Sequence, residues 1–250
     1  MPRIDLLGCP VDALSMEETV ARIVALIEAG TPHRHATINA AKFAKMWKDK
    51  ELFSIVTTSD LVSADGQAIV WAARFFGLPL RERVSGIDLM EALVALSSKS
   101  GYRLYFLGAR EGVAKSMVES YKKRFPTLRV IGCRNGYFSE EEENLVVNDI
   151  RQSAPDILFV AMGTPKQEKW IFKHMRALRV PFVMGVGGSF DVAVGSVMRA
   201  PLWIQRAGLE WFFRFMQEPR RLWKRYLFGN ISFCFIIIKE ILRCSSKKRK

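Results

Sequence analysis

Asp65 has the type and position for acid-base work: it follows the apolar run Leu61-Val62-Ser63-Ala64, and Gly66 after it leaves room for a ligand. An aspartate at the carboxyl end of a strand can take the proton of a substrate hydroxyl that lies within hydrogen-bond reach. The same position suits an N-cap for the next helix, and pattern alone leaves both readings open. Other polar residues gather after apolar runs: Thr37 and Asn39, Asn135, Gly163 to Gln167, and Asp191 behind Gly187-Gly188-Ser189-Phe190. If those runs form a parallel sheet, the residues converge on one rim, where open α/β sheets bind ligands. Thr164-Pro165-Lys166-Gln167 reads as a helix start, with Thr164 at the N-cap, Pro165 next and Gln167 closing a capping box. Such a start offers free N–H groups and partial positive charge to a phosphate. Arg83 or arginines further along would neutralise a diphosphate without a metal ion. Otherwise Arg83 is an ordinary loop charge, which is the commoner case for an arginine so placed.

The elements that must carry these groups alternate between strand and helix. A short strand at residues 3–8 precedes Ser15-Met16-Glu17-Glu18, a capping box that opens an amphipathic helix ending near Gly30. His35-Ala36-Thr37-Ile38-Asn39 is a strand whose last residue suits the N-cap of the next helix, with Phe43 and Trp47 on one face. After Asp65-Gly66 a helix runs through Ile69, Ala72, Ala73 and Phe76 to Gly77, and residues 78–86 form a loop. The second half begins at Tyr102 with a strand that turns through Gly108 into a helix. Strand 130–133 leads to Asn135-Gly136-Tyr137-Phe138 and a helix capped at Ser139, followed by the strands Ile157-Leu158-Phe159-Val160 and Pro181 to Val186. This alternation predicts an α/β domain with a Rossmann-like, mostly parallel sheet flanked by helices, over residues 1–198.

Residues 199–250 differ in composition. They hold 13 Lys and Arg against Glu210, Glu218 and Glu240, a net +10 of the chain's +13. The pattern predicts a helix from Trp203 to Gln217, interrupted by Pro219. Beyond it Arg220, Arg221, Lys224 and Arg225 fall on one face and Leu222, Trp223, Tyr226 and Leu227 on the other. Ile231 to Ile238 is apolar but far short of the ~20 residues that span a bilayer. The end is Lys247-Lys248-Arg249-Lys250. An apolar face beside polybasic charge suits anionic lipid headgroups, and a helical pair packed on the domain with a solvated basic face is the plainer alternative. Nucleic acid is disfavoured as a partner, because the tail alternates aliphatic and aromatic residues instead of presenting a row of stacking rings.

Composition excludes other classes. With 49% hydrophobic residues in 250, the chain can bury a full core. No signal-peptide pattern opens the sequence, so a cytoplasmic location is expected. Cys9, Cys133, Cys234 and Cys244 are scattered, without CxxC pairs, and are expected to be reduced; His33, His35 and His174 complete no metal-ligand spacing. Gly108 lacks the companion glycines of a dinucleotide turn, which weakens an oxidoreductase reading.

Taken together, Thr37-Ile38-Asn39, Ser63-Ala64-Asp65-Gly66, Gly136-Tyr137-Phe138, Gly163-Thr164-Pro165-Lys166-Gln167-Glu168, Gly187-Gly188-Ser189-Phe190-Asp191 and Arg199-Ala200-Pro201 resemble the WecG/TagA/CpsF family of bacterial glycosyltransferases. Gly208-Leu209-Glu210-Trp211 and Glu218-Pro219-Arg220-Arg221 extend the resemblance into the tail. It implies an inverting transferase, with no cofactor and no metal, that moves a sugar from a UDP-sugar to a polyprenyl-diphosphate-linked sugar. The setting would be the cytoplasmic membrane face, in teichoic acid or surface polysaccharide synthesis. The best choice of sugar is N-acetylmannosamine, with glucose or N-acetylmannosaminuronate as alternatives. By the same resemblance, Asp65 is the catalytic base with Thr37 and Asn39 beside it, and Arg83, Gln167 and Thr164 line the pocket. Asn135, Tyr137, Gly163 and Asp191 fall on the nucleotide side, and Arg214 and Arg221 of the tail bind the diphosphate. Residues 203–250 would meet an anionic membrane surface.

Overall fold

A computed structural model describes residues 3–247. It opens with a hairpin of β1 (Arg3–Leu6) and β2 (Cys9–Asp12), antiparallel across a turn in which Leu7 and Gly8 both have positive φ. The single strand expected at residues 3–8 is therefore two strands; a two-residue turn of this hand matches the right-handed twist of the pair. Helix α1 (Met16–Glu28) carries the anticipated capping box: Ser15 Oγ accepts the Glu18 N–H and the Glu18 carboxylate accepts the Ser15 N–H.

Then come β3 (His33–Ile38), α2 (Ala40–Met46), α3 (Lys50–Thr57), β4 (Leu61–Ala64), α4 (Gln67–Phe75) and α5 (Gly86–Ser100). Sequence reading assigned no element to α5, although Leu89, Met90, Leu93, Val94 and Ser97 bury one helical stripe. β5 (Arg103–Gly108), α6 (Val113–Arg124), β6 (Arg129–Arg134), α7 (Glu143–Ser153), β7 (Ile157–Ala161), α8 (Lys166–Leu178), β8 (Phe182–Gly185) and α9 (Ser189–Ala193) complete the alternation.

Six strands form one sheet in the order β4-β3-β8-β7-β5-β6, with every pairing parallel. Parallel sheets are covered on both faces, and β4, β7 and β8 are buried along their whole length. Leu104, Phe106, Ile157, Phe159, Phe182 and Met184 point to one face and pack on α1, α5 and α6. Tyr105, Leu107, Leu158, Val160 and Val183 point to the other, against α7 and α8. The register pairs Arg34 with Val183, so Ala36 and Ile38 share that second face and pack with α2, α3 and α4. All six carboxyl ends consequently lie along one edge.

The tail departs from a single helix over 203–217. It forms α10 (Leu202–Arg206) and α11 (Glu210–Gln217), separated at Gly208, whose φ of 71° ends the first helix. Pro219 opens α12 (Pro219–Lys247), which absorbs the apolar 231–238 run into one 29-residue helix. α12 lies on α2. Gly229 permits the approach, since a Cβ there would stand 2.8 Å from Ala41 Cβ, and Phe233 enters the core with its ring edge-on to Phe43 at 5.5 Å. Among the described residues no helix is long and apolar enough to cross a membrane. Lys248-Arg249-Lys250 lie outside the described residues.

Candidate active site

Asp65 sits one residue past β4, its own N–H fixed to the carbonyl of Ile38 at 2.8 Å. The carboxylate does not cap α4, whose N-cap is Gly66 without a side-chain bond. Oδ1 instead accepts the N–H of Gly86, the first residue of α5, at 2.7 Å, so the positive end of that helix faces the charge. Oδ2 stands 3.3 Å from Asn39 Nδ2. The orientation of Asn39 is itself dictated: its Oδ1 caps α2 through the Lys42 N–H at 3.0 Å, so its amino group turns to Asp65. Gly66 gives the room: a Cβ there would approach Asn39 Cβ to 3.0 Å and its Cα to 3.3 Å. With one bond per oxygen, the carboxylate keeps lone pairs for a substrate proton.

The turn after β7 differs from the capping box expected there. Thr164 Oγ1 donates to Glu168 instead of capping, and the formal N-cap is Pro165. Gln167 Oε1 accepts both the Gly163 N–H (3.1 Å) and the Gly187 N–H (3.0 Å), stapling the β7–α8 turn to the β8–α9 turn. Gly185 is required beneath it, because a Cβ there would lie 2.7 Å from Gln167 Nε2.

Behind this staple is a pair that sequence reading did not find. Lys42 Nζ and Glu168 Oε1 are 2.7 Å apart, with both side chains almost fully buried. Glu168 Oε1 also accepts Thr164 Oγ1 at 3.1 Å and Gln167 Nε2 at 2.9 Å, and Lys42 Nζ reaches Thr37 Oγ1 at 3.5 Å. Burial alone would push the Glu168 carboxyl up, yet Lys42 and the donated hydrogen bonds hold it below its ordinary range. The signal in the sequence was a lysine on the otherwise apolar and small face of α2, beside Ala40, Phe43 and Ala44.

Thr37, Asn39, Asp65, Arg83, Gly163, Thr164, Gln167 and Arg214 line one cavity of about 680 Å³. Its cations come from two directions. Arg83 is bound to Glu210 of α11 at 2.5 Å, and Arg199 to Asp88 at 2.5 Å; longer contacts of 3.9 Å, Arg83–Asp88 and Arg199–Glu210, link the two pairs. Burial disfavours the Arg83 charge, but Glu210, with Asp65 and Asp88 adding to it, offsets this and raises its pKa. Arg214 reaches from α11 to the carbonyl of Gly188 at 3.2 Å, and its buried Nε has no partner. Among the described residues no carboxylate pairs with it, which leaves a cation available to an anion.

Four expected site residues lie apart. Asp191 and Arg221 line a second cavity of about 360 Å³ together with Arg110, Ser196 and Glu218, separated from the first by Val197 and Met198, which border both. Arg221 is 2.6 Å from Glu218 and 3.9 Å from Asp191. Asn135 binds the Glu111 carboxylate and accepts the Tyr137 N–H, while the Tyr137 side chain is 74% exposed; neither residue lines the large cavity. Among the described residues no three His, Cys, Asp or Glu side chains come together as a metal-holding group.

The model of the Glycosyl transferase WecG/TagA/CpsF family matches residues 4–247. A relative from Bacillus subtilis (strain 168), an N-acetylglucosaminyldiphosphoundecaprenol N-acetyl-beta-D-mannosaminyltransferase, is 34% identical over 82% of this chain and 78% of its own. A protein of the same name from Bacillus spizizenii is 35% identical over 70% of this chain and 66% of its own. Another of that name from Staphylococcus aureus (strain MW2) is 28% identical over 99% of this chain and 95% of its own. The match runs from the first strand through α12, carrying the rim and the tail arginines with it: this chain is a glycosyltransferase and belongs to the WecG/TagA/CpsF family.

Proposed function

We propose that this enzyme transfers N-acetylmannosamine from UDP-N-acetylmannosamine to N-acetylglucosamine carried on a polyprenyl diphosphate, with inversion and without a metal ion, in teichoic acid synthesis. The observation that supports it most is Asp65, held by Gly86 and Asn39 and opening into the same cavity as Arg214, which no carboxylate pairs with among the described residues. In this reading Asp65 takes the proton of the acceptor hydroxyl while that oxygen bonds to the anomeric carbon. The bond from that carbon to the diphosphate breaks, its electron pair leaves on UDP, and attack from the opposite face inverts the centre. The negative charge that develops on the leaving group meets Arg214, a fixed cation at the mouth of the β8–α9 turn. Arg83, further along the rim, faces the diphosphate of the acceptor. Asp191 and Arg221, in the adjoining cavity, serve the nucleotide.

The test is UDP release with a panel of UDP-sugars and a short-chain polyprenyl-diphosphate-N-acetylglucosamine acceptor, in EDTA. Turnover with UDP-N-acetylmannosamine alone is expected. Turnover with UDP-glucose or the uronate would keep the mechanism and change the sugar; activity that collapses in EDTA would overturn the metal-free route.

An acceptor with a polyprenyl chain stays in the bilayer, so the enzyme must work at its surface, on the cytoplasmic side. Exposed Trp203, Trp223, Phe228, Ile231 and Phe235 beside the basic tail supply both apolar and ionic attraction. Replacing exposed Arg220 and Lys224 with Ser is expected to weaken binding to phosphatidylglycerol vesicles by about 2 kcal/mol, roughly 30-fold. Sedimentation with vesicles measures it, and an unchanged affinity would place the contact elsewhere.

A further inference from the structure

The large cavity does not end at the polar rim. It continues between α4 and α12, where Ala68, Trp71, Ala72 and Phe75 form one wall and Asn230, Cys234, Ile237, Ile238 and Ile241 the other. Both walls are single helical stripes, with spacings of three and four residues. Both also grade from polar to apolar in the same direction. α4 begins at Gln67, beside Asp65, and ends at Phe75, which is 65% exposed; α12 passes from Tyr226 and Asn230 to Ile237 and Ile241. The Tyr226 end is the one near the charges, because its ring lies 5.8 Å from Trp211 on α11, the helix that carries Arg214. From residue 226 to 241 the stripe runs ~22 Å at the helical rise.

We infer that this groove holds the first isoprene units of the acceptor lipid, with the diphosphate at the polar end near Arg83 and the hydrocarbon lying along Trp71, Phe75 and Ile237. The inference rests on the proposed acceptor and adds a place for its chain. An anionic head at one end and an extended branched hydrocarbon at the other match the polarity gradient of the cavity. A hydrated sugar has no use for the apolar stretch, while leaving Trp71 and Phe75 in water is unfavourable by about 25 cal/mol per Å² of apolar surface. The enzyme thus draws the proximal chain out of the bilayer, and chain length becomes a determinant of acceptor affinity.

Cys234 reports on the groove without any turnover, since it lines the wall and is exposed, whereas Cys9 is buried and its thiol is pushed up to about 12 by that burial. In full-length protein carrying Cys133→Ser and Cys244→Ser, which leaves only Cys9 and Cys234, maleimide labelling of Cys234 is followed with and without farnesyl diphosphate. Farnesyl diphosphate is expected to slow labelling about tenfold or more, and inorganic diphosphate not at all. Adding Phe75→Asn should remove most of the protection. Labelling that farnesyl diphosphate leaves unchanged would overturn the inference. So would labelling that slows as protein concentration rises, the mark of a second copy covering the groove. A parallel measurement compares KM for acceptors carrying methyl or farnesyl chains. Turnover with the same KM for both, without protection of Cys234, would sink the groove and leave the transferase reading standing. Protection without turnover on any acceptor would support the groove and sink that reading.

Discussion

Asp65→Asn is expected to lower kcat by about 10²- to 10⁴-fold, the usual range for loss of a positioned general base, with little change in KM for the nucleotide donor. The substitution isolates the chemistry because the amide has the same shape. Its side-chain oxygen can still accept the Gly86 N–H, so α5 keeps its anchor and the cavity its outline. What disappears is the negative charge, the capacity to take up a proton and the acceptor that Asn39 Nδ2 faces at 3.3 Å. Asp65→Ala removes the acceptor as well, leaving the Gly86 N–H in search of water, and is expected to add a stability loss of about 1–3 kcal/mol to the same catalytic defect. Steady-state kinetics on both variants, with thermal denaturation as the control, separates the two effects. Wild-type kcat in a folded Asp65→Asn protein would exclude Asp65 as the base.

The rim was legible in the sequence because each of its residues ends a run with a clear period. Asn39 and Asp65 follow buried strands, Gly163 follows the continuous apolar run of β7, and glycine clusters mark where the chain must turn tightly. What the sequence hid was partnership across long separations. Gly86 belongs to the loop-to-helix junction, and nothing local says that its N–H will hold a carboxylate 21 residues earlier. The same holds for Lys42 and Glu168, 126 residues apart. Thr164 misled for a related reason: S/T-x-x-Q is a local signature of a capping box, but the Gln167 side chain is drawn to Gly163 and Gly187 by a strand end that is distant in sequence. The tail showed its charge and its apolar stripe but not its packing, since the fit of Gly229 on Ala41 depends on where α2 lies.

The second large effect is expected at that buried pair. Glu168→Leu should destabilise the protein by about 3–5 kcal/mol, because it strands the Lys42 ammonium in the interior. At this chain length that corresponds to a fall in Tm of roughly 6–20 °C. Lys42→Met should cost less. The remaining carboxylate keeps its hydrogen bonds from Thr164 and Gln167, whereas losing Glu168 orphans both of those donors together with the lysine. Lys42→Met combined with Glu168→Leu should therefore be less damaging than the sum of the two, and a double-mutant cycle by denaturant unfolding measures the difference. The pair also sets a pH dependence. Since the folded-state pKa of Glu168 lies below its ordinary 4.5, its contribution is complete above about pH 4.5 and is lost as the pH falls through the lower, folded value. Glu168→Leu should flatten that part of the stability profile. The consequence reaches the site, because Gln167 Nε2 is fixed by Glu168 and its Oε1 holds the turns after β7 and β8 together. A Glu168→Leu protein that unfolds within about 1 kcal/mol of wild type would mean that this staple holds without its buried charge.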